Sequence, residues 1–303
     1  MTREELSEDI QKDIDSEEKN KKIKKIFLII IKVLLILIIL FTILFFYNKY
    51  ISTGLIKVKE NRIINNKITD DLNGLKIIQF SDILYDENTS INKINKVIDL
   101  INEREPDIVV YTGNLIKNNY KLTNNEQELL IKKLSKINST LGNYAINGDM
   151  DKESYQTIMN QSNFDILSNS NDLIYNNNSP VMIIGLDSYI NKKQDIEKAF
   201  KGSSTDIYTI VLMSETDSID DLVERKPDLI LAGSNLNGEV RLPFIGGLFK
   251  KDGSSKYLDP YYKINDTDIY ISSGIGTDKV GFRLFNQPSI NFFRLSNKWL
   301  YFS

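Results

Sequence analysis

An uninterrupted apolar segment near the N-terminus constrains this chain more than any other feature of its sequence. The segment covers residues 26–47, and Lys32 is its one charged residue. A helix of that length extends about 33 Å at ~1.5 Å per residue, which matches the hydrocarbon thickness of one bilayer. The ammonium of Lys32 can reach back to the headgroups along its own apolar stem. The segment therefore predicts a transmembrane helix, with the lipid bilayer as a partner of the chain.

The residues before this segment predict its orientation. Residues 1–25 are highly charged and end in a cluster of five lysines: Lys19, Lys21, Lys22, Lys24 and Lys25. Lysines next to a membrane span favour the cytoplasmic side, whereas acidic residues count little. A cleaved signal peptide is the alternative, but the apolar run exceeds the usual ~7–15 residues and no small-residue cleavage site follows it. We expect a single-pass protein of the cell membrane with its N-terminus in the cytoplasm and its globular part outside.

These observations divide the chain into four parts. Residues 1–25 form a charged cytoplasmic tail, and residues 26–47 form the anchor. Residues 48–54 are a juxtamembrane linker, and residues 55–303 form one globular domain of ordinary to large size.

Two residue types are absent, and their absence restricts the chemistry. The chain contains no Cys, which excludes disulfides, thiolate nucleophiles and thiolate metal sites. It contains no His, which removes imidazole as a base and as a metal ligand. Any metal must therefore be held by oxygen atoms, which favour Mg²⁺, Mn²⁺ or Ca²⁺. A net charge of −3 and the lack of a basic groove predict no nucleic-acid partner.

The apolar pattern of the globular part alternates between short buried runs and helical spacing. Helices are predicted at residues 91–102, 126–137 and 218–224. Strands are predicted at residues 75–80, 107–111, 144–147, 181–186, 207–213, 228–232, 268–272, 289–295 and 299–302. Alternating units followed by a strand-rich C-terminal part predict a layered α/β domain with mixed sheets.

Five of the predicted strands end in short polar turns. The turns are Ser81-Asp82, Thr112-Gly113-Asn114, the segment NGDMD at 147–151, Ser214-Glu215 and the segment GSNLNG at 233–238. Ligands of open α/β sheets bind beyond the carboxyl ends of strands. Each turn alone is a weak signal, because Gly, Asn and Asp are ordinary turn residues. Their order and spacing are much more specific.

In order and spacing these turns resemble the motifs of the calcineurin-like metallophosphoesterase family. That family carries, in sequence order, D-x-H, G-D, G-N-H-D/E, a late H and G-H-x-H. The corresponding segments are SDIL at 81–84, TGNL at 112–115, NGDMD at 147–151, MSE at 213–215 and GSNLNG at 233–238. The flanking segments GEVRLPFIGGLF at 238–249 and SSGIGTDKVGFRLFNQPSI at 272–290 resemble its membrane-associated phosphodiesterase branch. The resemblance covers about residues 55–303 and implies an α-β-β-α sandwich with mixed sheets behind one transmembrane helix.

The resemblance also implies a two-metal site, most of whose residues are different in this chain. The first metal of the family would be held at Asp82, Leu84, Asn114 and Leu236, and two of these are leucines without a lone pair. The second metal would be held at Asn114, Asp149, Glu215 and Ser234. The family's proton donor would be at Met150, and a thioether cannot deliver a proton. Of these eight positions only Asp82 keeps the family's residue, so no catalytic residue is assigned.

A weaker site built from oxygen atoms stays open as an alternative. Asp82, Asn114, Asp149 and Glu215 together offer the ligands for one hard divalent cation, Mg²⁺, Mn²⁺ or Ca²⁺. In the other interpretation these four are vestigial turn residues and no cofactor is bound. Arg241, which follows the last motif, is either a structural ion-pair partner or a contact for an anion.

Two main functional hypotheses follow, and a third stands beside them. The first is a catalytically inactive binding or regulatory domain at the outer face of the membrane, with a phosphate-like or lipid-like ligand or a protein partner. The alternative is an active phosphodiesterase or phosphatase with an atypical single-metal site, because fold alone does not decide function. The third is a purely structural protein of the cell envelope.

Overall fold

The structure of the chain is a computed structural model that describes residues 3–297, with side chains from residue 17 onward. The predicted strand at 299–302 therefore lies outside the described residues. The chain divides after Asn48 into two compact units.

The first unit consists of one long helix, α1 (Arg3–Phe46). The apolar residues of this helix are exposed, as expected for a helix that contacts lipid rather than protein. The stretch Glu17–Gly54 is the one segment of the described chain that is long and apolar enough to cross a membrane. Helical turns at Tyr47–Ile51 and Ser52–Gly54 follow, where the sequence predicted a linker.

The second unit contains five further helices among the described residues. They are α2 (Ile91–Asn102), α3 (Asn124–Leu134), α4 (Glu153–Gln161), α5 (Ile196–Ala199) and α6 (Ile219–Val223). The best defined helix start is that of α3, where the Thr123 hydroxyl and the Glu126 carboxylate form a reciprocal capping box.

The strands of the second unit form two large sheets and one small hairpin. In chain order they are β1 (Lys57–Ile64), β2 (Lys76–Phe80), β3 (Ile108–Tyr111), β4 (Gly142–Ala145), β5 (Asp165–Ile166), β6 (Ser170–Asn176), β7 (Ser179–Gly185), β8 (Tyr208–Met213), β9 (Leu229–Ala232), β10 (Arg241–Leu242), β11 (Gly246–Gly247), β12 (Tyr261–Ile264), β13 (Thr267–Ile271) and β14 (Ser289–Ser296).

Both large sheets are mixed and have parallel centres. Sheet one has the order β1-β14-β2-β3-β4-β5, in which β2 to β5 run parallel and β14 is antiparallel to β2. Sheet two has the order β12-β13-β9-β8-β7-β6, in which the four central strands run parallel and the two edge strands are antiparallel to their neighbours. Parallel strands of this kind require coverage on both faces.

Three hydrophobic clusters provide that coverage and define four layers. Alternate side chains of a strand point to opposite faces, so Ile77 packs between the two sheets while Ile78 packs under the helices of sheet one. Helices α2, α3 and α4 cover the outer face of sheet one, and α5 and α6 cover the outer face of sheet two. The layering is α-β-β-α with mixed sheets, which confirms the predicted fold class.

The sequence predicted the buried elements best. Helix α2 has the predicted bounds, and the predicted central strands are present within three residues of their ends. Helix α4, the edge strands β1, β6 and β12 and the hairpin β10–β11 were missed. Half-exposed edge strands show weaker periodicity than central ones, because only part of each strand is buried.

Candidate functional site

The polar turns singled out in the sequence meet at one edge of the two sheets. Asp82 follows β2, Asn114 follows β3, and Ser234 follows β9 of the other sheet. The backbone N–H of Ser234 donates to Oδ2 of Asp82 at 3.1 Å, so the carboxyl ends of the two sheets touch at this point. The sequence therefore located the edge correctly.

Asp82 lies at the centre of the sheet-one side and is almost completely buried. Its Oδ2 also accepts a hydrogen bond from the Ser81 hydroxyl at 2.5 Å, and its Oδ1 accepts one from Nδ2 of Asn114 at 3.0 Å. Burial raises the pKa of Asp82 and the neighbouring carboxylate of Asp149 adds to this, although Lys251, Ser81 and Asn114 act in the opposite direction. Both oxygens of Asp82 already have protein donors.

Asn114 joins three of the turns. Its side-chain amide donates to Asp82, and its Oδ1 accepts from the backbone N–H of Met150 at 3.1 Å. Its backbone N–H donates to Oδ2 of Asp151 at 2.7 Å. Asn114 therefore connects these turns, and both the nitrogen and the oxygen of its side-chain amide form hydrogen bonds.

Asp149, on the second side of the site, is paired with a lysine. Nζ of Lys251 lies 2.9 Å from Oδ1 of Asp149, and both side chains are largely buried, with 13% and 15% exposed. Burial lowers the pKa of Lys251, but the carboxylates of Asp149 and Asp82 outweigh this, so the pKa is raised above its ordinary value. The ammonium is therefore a fixed positive charge that acts on two residues at metal-ligand positions.

Glu215 is buried beside this ion pair. Its Oε1 accepts from the Ser188 hydroxyl at 2.7 Å, and its Oε2 accepts from the backbone N–H of Tyr189 at 3.2 Å. Burial raises the pKa of Glu215 to about 7; the Ser188 hydroxyl lowers it and Asp149 raises it further. Both oxygens of Glu215 are thus committed to neighbouring donors.

The other motif positions carry side chains that cannot bind a metal as the family does. Leu84 and Leu236 are buried, with 3% and 2% exposed, and occupy positions of two metal-ligating histidines. Met150 is half-buried at the position of the proton donor. The Ser234 hydroxyl is buried without a hydrogen-bond partner among the described residues.

The backbone at these positions has a geometry that the present side chains do not explain. Five of the eight positions have a left-handed backbone: Asp82 (φ 51°), Leu84 (φ 50°), Asn114 (φ 62°), Ser234 (φ 68°) and Leu236 (φ 53°). For a leucine this conformation costs roughly 1–2 kcal/mol. Strained residues of this kind cluster at functional sites. The turns therefore keep a site geometry although the side chains have changed.

One glycine is required by the close approach of two turns. A Cβ on Gly148 would lie 2.3 Å from Oδ1 of Asn114, which is far inside contact distance. Any side chain at this position would push the turn after β4 away from the turn after β3.

Two residues of the site were not assigned from the sequence. Asp151 accepts hydrogen bonds from the backbone N–H groups of Asn114, Leu115 and Gly148 at 2.7–2.9 Å and so fixes two turns. The final acidic position of the family's G-N-H-D/E motif was the available signal for it. Lys251 follows the hairpin β10–β11, where the segment FKKDG gives no sign that one of its lysines is buried.

The space next to Ser234 and Lys251 is small. The cavity lined by Ser234, Leu236, Glu239 and Lys251 has a volume of about 10 Å³, roughly enough for one water molecule. The guanidinium of Arg241 does not enter it, because the group donates to the carbonyls of Asn237 and Leu258 and pairs with Asp259.

The donor set does not fit the two-metal centre of the family. Two ligand positions are apolar, and a buried ammonium takes the place next to Asp149. Over residues 17–297, no three acidic side chains lie close enough together to hold a metal ion. Two divalent cations next to a fixed ammonium would also meet strong repulsion at this low-dielectric edge.

Comparison with known proteins identifies relatives over most of the chain. No protein-family model matches it. The uncharacterized metallophosphoesterase YkuE of Bacillus subtilis is 28% identical, and the match covers 83% of this chain and 89% of YkuE. A transmembrane protein with a metallophosphoesterase domain from Danio rerio is 23% identical over 77% of this chain, which spans only 56% of that protein. Among solved structures, the calcineurin-like phosphoesterase YfkN of Bacillus subtilis is 14% identical with a TM-score of 0.42, covering 67% of this chain and 82% of that one.

The curated relatives are named as metallophosphoesterases, which agrees with the family that the motifs resemble. They include transmembrane proteins, as an N-terminal apolar helix would lead one to expect. Over most of its length the chain resembles metallophosphoesterases of the calcineurin-like family.

Proposed function

We propose that this protein is a membrane-anchored, catalytically inactive member of its family that serves as a binding or regulatory domain. The observation that carries the proposal is the ammonium of Lys251, which lies 2.9 Å from Asp149 where the family's second metal would be held. A resident cation of this kind neutralises the remaining carboxylates without supplying a Lewis acid or an activated water.

Three further features support the proposal. The position of the family's proton donor is Met150, which has no proton to give. The cavity next to Ser234 and Lys251 has room for about one water molecule and not for a phosphate ester. The turns are held by hydrogen bonds to Asp151, which do not require a metal.

The test is an assay of the full chain in nonionic detergent with a generic phosphodiester. We expect no turnover above background with Mn²⁺, Mg²⁺ or Ca²⁺, and no bound metal by elemental analysis. The Asp82→Ala variant is the matched control. Turnover that saturates with metal and disappears in Asp82→Ala would contradict the proposal and establish the single-metal phosphodiesterase instead.

We also propose that the globular unit lies on the outer face of the cytoplasmic membrane. The lysine cluster before the apolar segment supports this orientation. Since the chain has no Cys, single cysteines introduced as Lys132→Cys and Lys19→Cys report the two sides. A membrane-impermeant maleimide should label the first variant in intact cells and the second only after lysis; the reverse pattern would contradict the orientation.

A further inference from the structure

A second cavity lies beside the site, at the carboxyl end of β2 and next to the first turn of α2. Its volume is about 840 Å³, which is in the usual range for small-ligand pockets. Leu84 of the turn after β2 and Gly276 line it, and Thr89 and Thr277 add hydroxyl groups to its wall. Unlike the small cavity at Ser234, it is large enough for a headgroup-sized ligand.

The charge of this pocket is strongly positive. Its wall carries four lysines, Lys49, Lys93, Lys96 and Lys117, against the single carboxylate of Asp86, which gives a net charge of +3. That carboxylate is already paired with Lys117 at 3.4 Å. Among the described residues, the ammonium groups of Lys93 and Lys96 form no ion pair with an acid.

Lys93 shows the consequence of this imbalance. Among the described residues no carboxylate lies within ion-pair distance of its ammonium. Burial lowers its pKa to about 8, and the guanidinium of Arg283 contributes to the decrease. Arg283 is completely buried and donates to the carbonyls of Gly276 and Leu236 rather than to an acid. Positive charge that is partly removed from water without a counter-charge favours the binding of an anion.

The position of the pocket in the chain indicates where such an anion comes from. Lys49, Tyr50, Thr53 and Gly54 line it and follow the apolar segment directly in the sequence. Lys49 is the second residue after Tyr47, and a chain of two residues extends at most about 7 Å. With residues 26–47 in a bilayer, part of the pocket wall is held at the level of the headgroups. Lipid phosphate groups lie at that level, and basic groups near a membrane surface are attracted to anionic lipids.

We propose that this pocket binds a phosphate group, and that the phosphate belongs to an anionic phospholipid of the membrane in which the chain is anchored. Lys93 and Lys96 contact the phosphate, and hydroxyl and amide groups of the wall contact the rest of the headgroup. The proposal names a ligand class for the binding function proposed above and so extends it.

The test counts phospholipid molecules on the purified full chain in nonionic detergent by native mass spectrometry. Phosphatidylglycerol and phosphatidylcholine are titrated separately, and inorganic phosphate is added as a competitor. The pocket variant is Lys93→Gln with Lys96→Gln. The control is Lys132→Gln with Lys136→Gln, which removes two exposed charges at and after α3. We expect phosphatidylglycerol to bind roughly 30-fold more weakly to the pocket variant and unchanged to the control.

Each outcome decides one part of the proposal. Equal retention by the pocket and control variants, or retention of phosphatidylcholine as tight as that of phosphatidylglycerol, would overturn it. Binding of inorganic phosphate without retention of phosphatidylglycerol would show that the pocket binds phosphate. It would overturn the proposal that the phosphate belongs to a lipid. None of these readouts depends on turnover, so failure here is distinct from failure of the inactive-enzyme proposal.

Discussion

The two sides of the strand-end site differ from the family's motif residues in different ways. Around Asp82, Leu84 and Leu236 stand where the family's motifs have histidines, and the carboxylate of Asp82 accepts hydrogen bonds from protein donors. Around Asp149, the carboxylate is paired with the ammonium of Lys251. One side combines apolar packing with a hydrogen-bonded carboxylate, and the other contains an internal cation.

The difference shows what each side requires if no metal balances its carboxylates. Two buried carboxylates without a counter-charge would destabilise a low-dielectric site. Either the negative charge must therefore be removed or a counter-charge must be supplied. The turns around Asp82 have a left-handed backbone although their side chains differ from those of the family's motifs. Scaffold hydrogen bonds such as those of Asp151 hold these turns independently of any ligand.

The largest effect is expected when the family's ligands are restored on both sides. Seven substitutions are required: Leu84→His, Asn114→Asp, Asp149→Asn, Met150→His, Glu215→His, Ser234→His and Leu236→His. If the ammonium of Lys251 occupies the position of a metal ion, these seven substitutions alone do not restore metal binding. Adding Lys251→Ala should increase Mn²⁺ affinity by at least roughly 100-fold, because a buried ammonium would otherwise repel the metals. Calorimetric titration and elemental analysis measure this, and equal affinity with and without Lys251 would refute the comparison.

Removal of Lys251 alone should destabilise the second side. Lys251→Met leaves Asp149 without its partner and should lower the free energy of unfolding by about 3–4 kcal/mol. Chemical denaturation of the full chain in detergent measures it. Lys250→Met is the matched control, because Lys250 is exposed, and it should change stability by less than about 0.5 kcal/mol. Similar losses in both variants would show that the ion pair is unimportant.

The pH dependence of stability should reveal the buried acid of the second side. The pKa of Glu215 is raised from 4.5 to about 7 in the folded protein, so the folded state binds its proton more tightly than the unfolded state. The contribution of Glu215 is therefore fully present below pH ~4.5 and is lost as the pH rises through about 7. We expect Glu215→Gln to reduce this loss by up to about 3 kcal/mol between these limits. Denaturation midpoints with the same pH slope in both proteins would contradict this.

A smaller effect is expected from the residue that holds the sheet-one side. Asp151→Asn keeps the size of the side chain but weakens its bonds to the N–H groups of Asn114, Leu115 and Gly148. Burial raises the pKa of Asp151 to about 7. Above that pH we expect a loss of about 2 kcal/mol in unfolding free energy, since hydrogen bonds to a charged acceptor are stronger. Asp99→Asn, which changes an exposed acid of α2, serves as the control. If Asp151→Asn has no effect, the turns are held by packing rather than by this carboxylate.

Much of the fold could be predicted because burial leaves a periodic pattern in the sequence. Helix α2 and the central strands β2, β3 and β8 have one or two buried faces and were found near their observed ends. Edge strands such as β6 were missed, because their side chains are partly exposed and follow no strict period. The predicted orientation in the membrane stays a prediction, because the conformation of a helix does not show which of its ends faces the cytoplasm.

The sequence by itself determined that this protein has no imidazole or thiolate chemistry, that an apolar segment long enough to cross a membrane precedes the domain, and that the polar turns follow strands. These are properties of residue type and of order along the chain. Only the tertiary structure revealed that Lys251, 102 residues away from Asp149, forms a buried ion pair with it. It also gathered Lys93, Lys96 and Lys117 around one pocket. Such contacts depend on how segments that are far apart in the sequence pack together, and local sequence patterns do not encode this packing.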